Sequence, residues 1–509
     1  MLCIIKLMST SSRVWILAGI LIIATFLRFH HFASTPPGLY PDEAMDGNNA
    51  VEAVQTGHLR VYYPEDNGRE GLYVNIIAVI LKVWPVYEPW VIRLPAAVAG
   101  VATVLVMYFL VSELFGYEIG LMAAFLLATS FWHIDFSRIG FRAILAPLLL
   151  AWALYLFTRA IRKGSIRELP PSSPWYISPY FYAAIAGIVY GLGFYTYIAY
   201  RITPLLFLLF IPFYRKNPGF WKWTIVFVAA TFIIAAPIGY YYAQHPADFF
   251  GRTSEISVTN SGNPTMDFAA NLGKELAMFN FRGDDNWRHN LSGAPELFWP
   301  VGILFVFGII LGVYALVKKS KRSTPKSIAS LPPFGLWLMF LWFIFAILPA
   351  AASDEGIPHA LRSILMLPPA IVFASIAGVW LYGIIKEYGS KRAAKFLMAA
   401  FLIVVAWFGY YEYFILWAEN PNVAGAFNEN YVQIGREINA LPASTPKYVI
   451  VTAGGVLARG IPVPAETTMF ITDSFTTQDQ MTHNIHYLLP DQADTVPVGT
   501  PSNEIFYIE

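Results

Sequence analysis

The sequence predicts an all-α, polytopic membrane protein with a small α/β domain at its C-terminal end. Of the 509 residues, 56% are hydrophobic and 13% are charged, whereas soluble globular proteins keep about a quarter of their residues charged. Eleven apolar segments approach the length of roughly 20 residues that a membrane-spanning helix needs. Residues 418–509 contain no such segment. We therefore predict a membrane domain, 1–417, followed by a smaller domain, 418–509.

The predicted spans account for most of the membrane domain. An apolar segment at 72–84 has 13 residues and carries Lys82, so we expect it to lie at the membrane interface. The span at 202–214 is the shortest of the eleven. They are 14–29, 90–111, 119–134, 143–161, 180–197, 202–214, 221–242, 297–317, 331–351, 364–385 and 396–417.

The distribution of charge predicts the orientation. With the N-terminus inside, the inner segments carry 18 Lys and Arg against 4 Asp and Glu, and the outer segments carry 16 against 29. Basic residues prefer the cytoplasmic side of membrane proteins. This topology places two long loops, 28–89 with interfacial helices and 243–296, on the outer side. The C-terminal domain is also predicted to be extracytoplasmic, on a multi-pass protein of the cell membrane.

The C-terminal segment has the pattern of a small α/β domain. Residues 428–442 read as an amphipathic helix, and 447–452, 467–472 and 504–509 read as strands. Composition also excludes some classes of site. The one cysteine, Cys3, rules out an intrachain disulfide and a thiolate cluster. A net charge of +1 gives no indication of a nucleic-acid partner.

Ionisable residues gather at the outer ends of the predicted spans, and the middles of the spans are almost free of them. A transporter needs polar groups near the midplane of the membrane. The observed pattern instead suits an enzyme whose substrate keeps its tail in lipid and projects its headgroup outward. The residues are Arg28, Asp135, Arg138, Arg142, Arg201, His359, Arg362 and Glu412.

Several motifs in this order carry a family resemblance. They are YPDEA (40–44), IRLPAAVAG (92–100), WHIDFSRIGFRA (132–143), YTYIAYRITPL (195–205), FNFRGDDNWRHN (279–290) and PHALRSILMLPP (358–369). Over residues 14–417 the chain resembles polyprenyl-phosphate-sugar-dependent glycosyltransferases of the GT-C superfamily, in the group of dolichyl-phosphate-mannose–protein mannosyltransferases. It departs from many relatives at 67–73, where NGREGLY stands in place of a Lys-Pro-Pro element.

The resemblance implies a membrane glycosyltransferase. Such an enzyme moves a sugar from a polyprenyl-phosphate donor to a hydroxyl of a protein, lipid or glycan acceptor at the outer face, with inversion at the anomeric carbon. Asp42 resembles the family's general base, and Glu43 would shape or assist it. The alternative for both residues is a pair of solvated loop carboxylates. A lipid A aminoarabinose-type transferase, a lipid-linked-sugar transporter and a non-catalytic membrane scaffold are the alternative functions.

A departing lipid phosphate needs cations, and arginine suits it because its planar guanidinium can bond two oxygens at once. Arg138 and Arg142 are four residues apart, which would place them on one helical face. Asp135 and Glu70 are possible second carboxylates, with an ion pair to Arg138 the favoured role for Asp135. The predicted phosphate-binding residues are Arg138, Arg142, Arg201, His359, Arg362 and Arg69.

The sequence gives weak indications of a metal. Asp284 and Asp285 resemble a metal-binding acidic pair, and His289 lies nearby. Two adjacent acids without a further ligand are insufficient to hold a cation such as calcium. We therefore expect no metal and no cofactor.

Overall fold

The computed structural model describes residues 10–165, 176, 178–318, 331–497 and 503–509, which are mainly helical. The helices are α1 (Thr10–Phe29), α2 (Pro41–Thr56), α3 (Leu72–Val83), α4 (Pro89–Phe115), α5 (Tyr117–Thr129), α6 (Phe131–Phe136), α7 (Leu145–Gly164), α8 (Pro179–Gly193), α9 (Pro204–Leu208), α10 (Phe210–Tyr214), α11 (Phe220–Gln244), α12 (Pro246–Glu255), α13 (Pro264–Ala277), α14 (Trp299–Val317), α15 (Pro333–Ala351), α16 (Leu367–Tyr388), α17 (Lys391–Tyr411), α18 (Pro421–Ala426), α19 (Glu429–Ala440), α20 (Glu466–Ile471) and α21 (Thr477–His483). The strands are β1 (Tyr62–Tyr63), β2 (Arg69–Glu70), β3 (Lys447–Val451), β4 (Leu457–Ala458), β5 (Ile461–Pro462), β6 (Ile485–Leu488) and β7 (Glu504–Ile508).

Eight helices of the described chain are long and apolar enough, by length and composition, to cross a membrane. They are α1, α4, α7, α11, α14, α15, α16 and α17, and each coincides with one of the predicted spans. Short 3-10 turns extend α7 and α16 at their beginnings, and a π-helical turn, Glu412–Trp417, extends α17 at its end. The prediction of an all-α, polytopic membrane domain is therefore confirmed.

The other three predicted spans fall on shorter apolar helices, at Tyr117–Thr129, Pro179–Gly193 and Ile198–Tyr214. Ser130 has extended backbone, with φ −67° and ψ 126°, so α5 ends before the predicted span does. The number of eleven crossings consequently stays a prediction. The predicted interfacial segment forms α3, a helix of 12 residues. At 1.5 Å per residue such a helix is far shorter than the hydrocarbon core.

Glycines let the membrane helices approach closely. A Cβ atom on Gly308 of α14 would lie 1.8 Å from the backbone oxygen of Phe373 in α16. A Cβ atom on Gly187 of α8 would lie 2.3 Å from the backbone oxygen of Phe227 in α11. Apolar attraction between helices is weak in lipid, so helix association depends on such close packing. Bulky substitutions at these two glycines would separate the helices.

The loop between α1 and α4 holds α2, α3 and the hairpin of β1 and β2. Pro41 begins α2, where its missing N–H costs no hydrogen bond. Glu43, two residues later, accepts a hydrogen bond of 3.2 Å from the backbone N–H of Tyr40 and so fixes the first turn. Gly57 ends the helix in the left-handed conformation, with φ 71°. These signals set the position of Asp42 in the first turn of α2.

The C-terminal segment contains a three-stranded parallel sheet in the order β6–β3–β7. The amphipathic helix and the strands near 447–452 and 504–509 are confirmed as α19, β3 and β7. The predicted strand at 467–472 is wrong, because this segment forms α20, and the sequence reading missed β6. Both faces of α20 are buried, which produced a strand-like pattern. Tertiary contacts outweigh the local preference of its threonines for strands.

Buried contacts join α20 to the loop that carries α2. The side-chain amide of Asn48 donates a hydrogen bond of 2.6 Å to the Glu466 carboxylate, and the Thr467 hydroxyl donates one of 2.9 Å to the backbone oxygen of Leu39. A Cβ atom on Gly47 would lie 2.7 Å from the ring of Phe470. The C-terminal segment thus packs against the loop that carries α2. That this segment is an independent domain stays a prediction.

Candidate active site

A cavity with a volume of about 1250 Å³ opens among the described residues. It lies at the end of the membrane domain where the 30–88 loop packs. Its wall also includes α12, the C-terminal end of α15 and a loop of the C-terminal segment near Gly454. Most of the residues that the sequence analysis selected line this cavity: Asp42, Arg69, Glu70, Arg142, Arg201, His359 and Arg362.

Asp42 lies in the cavity wall beside a cluster of opposite charges. Arg69 donates a hydrogen bond of 2.6 Å to the backbone oxygen of Asp42, and its guanidinium lies 3.8 Å from the Asp42 carboxylate. The same guanidinium pairs with Asp46 at 3.1 Å and with Asp66. Three carboxylates thus surround one buried arginine, so Arg69 is largely neutralised and serves to hold Asp42 in place.

The surroundings of Asp42 shift its protonation equilibrium. Burial raises the pKa of the Asp42 carboxyl to about 6, while the positive charge of Arg69 opposes part of the rise and the negative charge of Asp66 adds to it. Its side chain nevertheless keeps 44% of its surface accessible, because it faces the cavity. Asp42 therefore combines access to a ligand with a proton affinity suited to general-base chemistry near neutral pH.

Glu43 lies outside the cavity, so the role predicted for it, to shape or assist Asp42, can only be indirect. The side chain is fully buried, and it forms hydrogen bonds of 2.8 and 3.0 Å with Arg93. It also accepts a hydrogen bond of 2.6 Å from the backbone N–H of Gly140. Glu43 therefore connects the first turn of α2 to the start of α4 and to the 137–141 turn, and it can act only by positioning its neighbour Asp42.

Arg138 is also outside the cavity, so its predicted contact with phosphate is corrected. Its guanidinium is buried and donates to the backbone oxygens of Leu27 at 3.2 Å and Thr35 at 2.8 Å. Helix α6 ends at Phe136 and a new helical turn begins only at Arg142. Because the chain turns between them, Arg138 and Arg142 do not share a helical face.

Asp135 does not reach the cavity either. Its side chain is fully buried, and neither carboxylate oxygen has a hydrogen-bond partner among the described residues. The ion pair expected with Arg138 is not formed within 4.0 Å in this part of the chain. Asp135 therefore contributes no second carboxylate to the cavity, and that expectation is corrected.

Glu70 joins two cavity arginines that come from different parts of the chain. Arg142 pairs with Glu70 at 3.0 Å through Nε, and Arg201 pairs with it at 3.5 Å. Arg201 also donates to the backbone oxygen of Phe249 at 2.7 Å and to the Tyr242 hydroxyl at 2.9 Å. Arg142 uses only Nε for its pair with Glu70, so its two terminal nitrogens can still donate to an anion.

Arg362 and Arg288 also line the cavity. Arg362 pairs with Glu355 at 2.8 Å. Arg288, which the sequence analysis did not select, lies 3.6 Å above the ring of Tyr40 and has no carboxylate within 4.0 Å in the described chain. Arg288 lies in the motif RGDDNWRH, in which the acidic pair Asp284 and Asp285 gave the clearer signal. Arg288 Nε donates a hydrogen bond of 3.3 Å to Asn286 Oδ1, so the stacked guanidinium is oriented while its terminal nitrogens can meet an anion.

Asp284, His289 and His359 form a compact group in the cavity wall. His289 Nδ1 lies 2.9 Å and His359 Nδ1 lies 3.7 Å from the same carboxylate oxygen of Asp284. Burial lowers the pKa of both imidazoles, which keeps them neutral. The neighbouring acid, Asp285, instead pairs with exposed Arg282 at 3.1 Å. The acidic pair of the sequence is therefore divided, and only Asp284 meets the two histidines.

Apolar side chains complete the cavity beside the membrane helices. Ile198 and Ile202 contribute from the turn before α9, and Leu348 and Pro349 from the last turns of α15. Phe249 and Phe250 of α12 also line the cavity. The cavity thus combines charged and apolar side chains at the level where a candidate span ends.

Comparisons with known proteins agree with this architecture. The oligosaccharyltransferase of Archaeoglobus fulgidus superposes with a TM-score of 0.57 at 14% identity, covering 95% of this chain and 65% of that one. ArnT from Cupriavidus metallidurans bound to undecaprenyl phosphate gives 0.55 at 12% identity, covering 94% and 90%. The chain has the GT-C fold.

Sequence comparison agrees with this fold for part of the chain. Residues 72–241 match the family model described as dolichyl-phosphate-mannose-protein mannosyltransferase. Over 149 residues the chain is 30% identical to YkcB of Bacillus subtilis (strain 168), whose assigned name is that of a mannosyltransferase. That alignment covers 29% of this chain and only 19% of YkcB. The resemblance recognised in the sequence is confirmed.

Proposed function

We propose that this protein is a membrane glycosyltransferase that moves a sugar from a polyprenyl-phosphate donor to an acceptor hydroxyl. The observation that carries the proposal is the cavity itself. It combines Asp42, a carboxylate with a raised pKa, with several arginines and an apolar wall at the ends of candidate spans. An amphipathic donor needs all three features at once.

The donor's phosphate suits the arginines that line the cavity. Arg142 and Arg201 share the single carboxylate of Glu70, and Arg288 stacks on the ring of Tyr40 in the same cavity. Arginine binds phosphate oxygens through several N–H groups in one plane. The isoprenoid chain of the donor is too long to fit in the cavity. It would extend along the apolar residues of α15 into the lipid.

Asp42 is the general base in this proposal. It takes the proton of the acceptor hydroxyl as that oxygen attacks the anomeric carbon, and the carbon–oxygen bond to phosphate breaks. The bonding electrons leave with the lipid phosphate, whose negative charge the cavity arginines stabilise. One displacement without a covalent sugar–enzyme intermediate inverts the configuration at the anomeric carbon.

The alternatives fit the cavity less well. A scaffold would scatter its charged residues around the membrane interface, whereas seven of the selected residues line one cavity. A lipid-linked-sugar transporter would need polar groups near the midplane of the spans. An aminoarabinose-type transferase remains the alternative within enzymes, because its donor would present the same phosphate and lipid to the cavity.

Location and substrate are part of the proposal. The positive-inside distribution supports an active site and C-terminal segment on the extracytoplasmic side. The family model and the name of YkcB make a mannosyl-type hexose the first donor sugar to test. A protein, lipid or glycan could supply the acceptor hydroxyl, and the gene's deletion offers a direct approach to both partners.

Mass spectrometry of lipid extracts from a deletion strain tests the function. The substrate of the missing enzyme should accumulate as a polyprenyl-phosphate sugar, and expression of the wild-type chain should remove it. Expression of the Asp42→Asn variant at equal abundance should leave it in place. An unchanged lipid-linked sugar pool, together with no transfer by the purified protein from polyprenyl-phosphate hexoses or pentoses, would contradict the proposal.

A further inference from the structure

We propose that Asp284, His289 and His359 bind one divalent transition-metal ion at the wall of the cavity. Each residue offers one ligand atom, and all three atoms lie within 4.8 Å of one another. The ligands come from two loops, since Asp284 and His289 precede α14 and His359 follows α15. The fold, rather than a local motif, brings the third ligand to the other two.

The spacing of the ligand atoms suits a small cation. Zinc binds imidazole nitrogen and carboxylate oxygen at about 2.0–2.2 Å in tetrahedral geometry, which separates neighbouring ligand atoms by roughly 3.4 Å. The distances from the Asp284 oxygen to the two histidine nitrogens, 2.9 and 3.7 Å, lie on either side of this value. The two histidine nitrogens lie within 4.8 Å of each other, so the histidine side chains would move to complete the tetrahedral spacing.

An unpartnered atom supports the site independently. His359 Nδ1 is buried, points to within 3.7 Å of Asp284, and has no hydrogen-bond partner in the described chain. A buried nitrogen without a partner is costly. A metal ion would satisfy it, because neutral imidazole presents a lone pair to a cation.

The residues around the group hold it in place. The Asp284 carboxylate accepts hydrogen bonds from the backbone N–H groups of Asn286 at 2.8 Å and Ala360 at 2.9 Å. The ring of His289 packs against Phe136 and Phe141, with centroid separations of 5.7 and 6.1 Å. Such surrounding contacts orient metal ligands and increase affinity.

The ligand types indicate which metal would bind. Two imidazoles and one carboxylate suit zinc and similar transition metals, whereas magnesium and calcium prefer oxygen ligands alone. Three protein ligands leave at least one coordination position open, as in catalytic zinc sites. All three residues line the cavity, so an oxygen of a bound substrate could take that position, a role that rests on the proposed function.

Metal binding can be measured without any glycosyl donor. The protein is purified in detergent with a histidine-free affinity tag, treated with a chelator, incubated with Zn²⁺ or Co²⁺, and separated from free metal. Metal content and Co²⁺ absorption are then measured for the wild type, Asp284→Asn, His359→Gln and Asp285→Asn. Asp285→Asn is the matched control because it removes the same charge from the adjacent residue, which pairs with Arg282.

We expect one metal per chain for the wild type and for Asp285→Asn, and about a 100-fold or greater loss of affinity for the other two variants. Absence of stoichiometric metal from the wild type would overturn the site, as would unchanged affinity in both ligand variants. If either Asp284→Asn or His359→Gln unfolds, the metal affinity of the other variant tests the site. Metal binding without sugar transfer would support this site and contradict the proposed function. Sugar transfer without metal binding would support the proposed function and contradict this site.

Discussion

Arg69 donates a hydrogen bond of 2.6 Å to the backbone oxygen of Asp42 and lies 3.8 Å from its carboxylate. The arginine comes from β2 and the aspartate from the first turn of α2, so this contact fixes the position of one loop element by another. Arg69 is itself held by Asp46 and Asp66. A general base that removes a proton from one defined position needs such rigid support.

The raised pKa of Asp42 predicts the pH dependence of transfer. A general base works only when deprotonated, so kcat/KM should rise with pH and reach half its maximum near the Asp42 pKa of about 6. Burial raises this pKa, and the charges of Arg69, Asp66 and Arg288 modify it. Measuring kcat/KM from pH 4.5 to 8.5 checks it. A profile that is flat across this range, or that falls as the pH rises through 6, would exclude Asp42 as the base.

Arg201 and Arg138 should respond differently to the same substitution. Arg201→Gln removes a cation from the cavity, and a charge-assisted hydrogen bond contributes about 1.5–3 kcal/mol, so donor binding should weaken by about 10- to 100-fold. Arg138→Gln should leave donor affinity unchanged and lower thermal stability, because its bonds are to buried backbone oxygens. Equilibrium binding of a polyprenyl-phosphate probe and thermal unfolding separate the two. Equal loss of donor affinity in both variants would refute this assignment.

The Glu43→Gln substitution should lower the stability of the fold and disturb the position of Asp42. The substitution leaves Arg93 buried without its charge partner, a change that typically costs about 3–5 kcal/mol. Turnover should fall less than in Asp42→Asn, with the same pH midpoint. Thermal unfolding and kcat report the two effects. The double variant Glu43→Gln/Arg93→Met serves as the control, since it removes both charges and should regain part of the lost stability. A shift of the pH midpoint to another value would instead give Glu43 a direct role.

Glu466 predicts how stability depends on pH. Burial raises the pKa of Glu466 to about 8 in the folded protein, and the hydrogen bond from Asn48 opposes part of the rise. The folded state therefore holds a proton that the unfolded state releases above its ordinary pKa of 4.5, so stability should be lost as the pH rises from about 4.5 to about 8. Glu466→Gln should lack this component.

Thermal unfolding of the wild type and Glu466→Gln between pH 5 and 9 measures the effect. The Tm of the variant, relative to the wild type, should increase over this range and level off above pH 8. Glu437→Gln, on an exposed face of α19, is the matched control and should show a constant difference. A constant difference for Glu466→Gln as well would show that this carboxyl does not titrate on folding.

Local signals predicted the parts of the site that depend on single helix ends. Asp42, Arg201 and Arg362 each lie beside a span that hydrophobic periodicity identifies, and each lines the cavity. The prediction for Arg138 was wrong because the chain turns after Phe136. The four-residue spacing between Arg138 and Arg142 therefore does not lie on one helix. Spacing is informative only where the helix continues.

Other features depend on contacts that no single segment encodes. His359 lies 70 residues beyond His289 in the chain, so their meeting at Asp284 is a property of the fold. The segment at 467–472 is rich in β-branched residues, which favour strands, but it forms α20, because both of its faces are buried against other elements. In each case the packing of distant segments decides the outcome.

Turnover by the Asp42→Asn variant tests the central claim most directly. The substitution keeps the shape of the side chain and removes its basicity, so donor binding should survive while kcat falls by about 10²–10⁴-fold. Asp491→Asn, on an exposed turn of the C-terminal segment, should transfer sugar at the wild-type rate and serves as the control. The assay follows transfer from a purified polyprenyl-phosphate sugar, beside a donor-binding measurement. Near-wild-type turnover by Asp42→Asn would contradict the account, because Asp42 would then be an ordinary cavity charge.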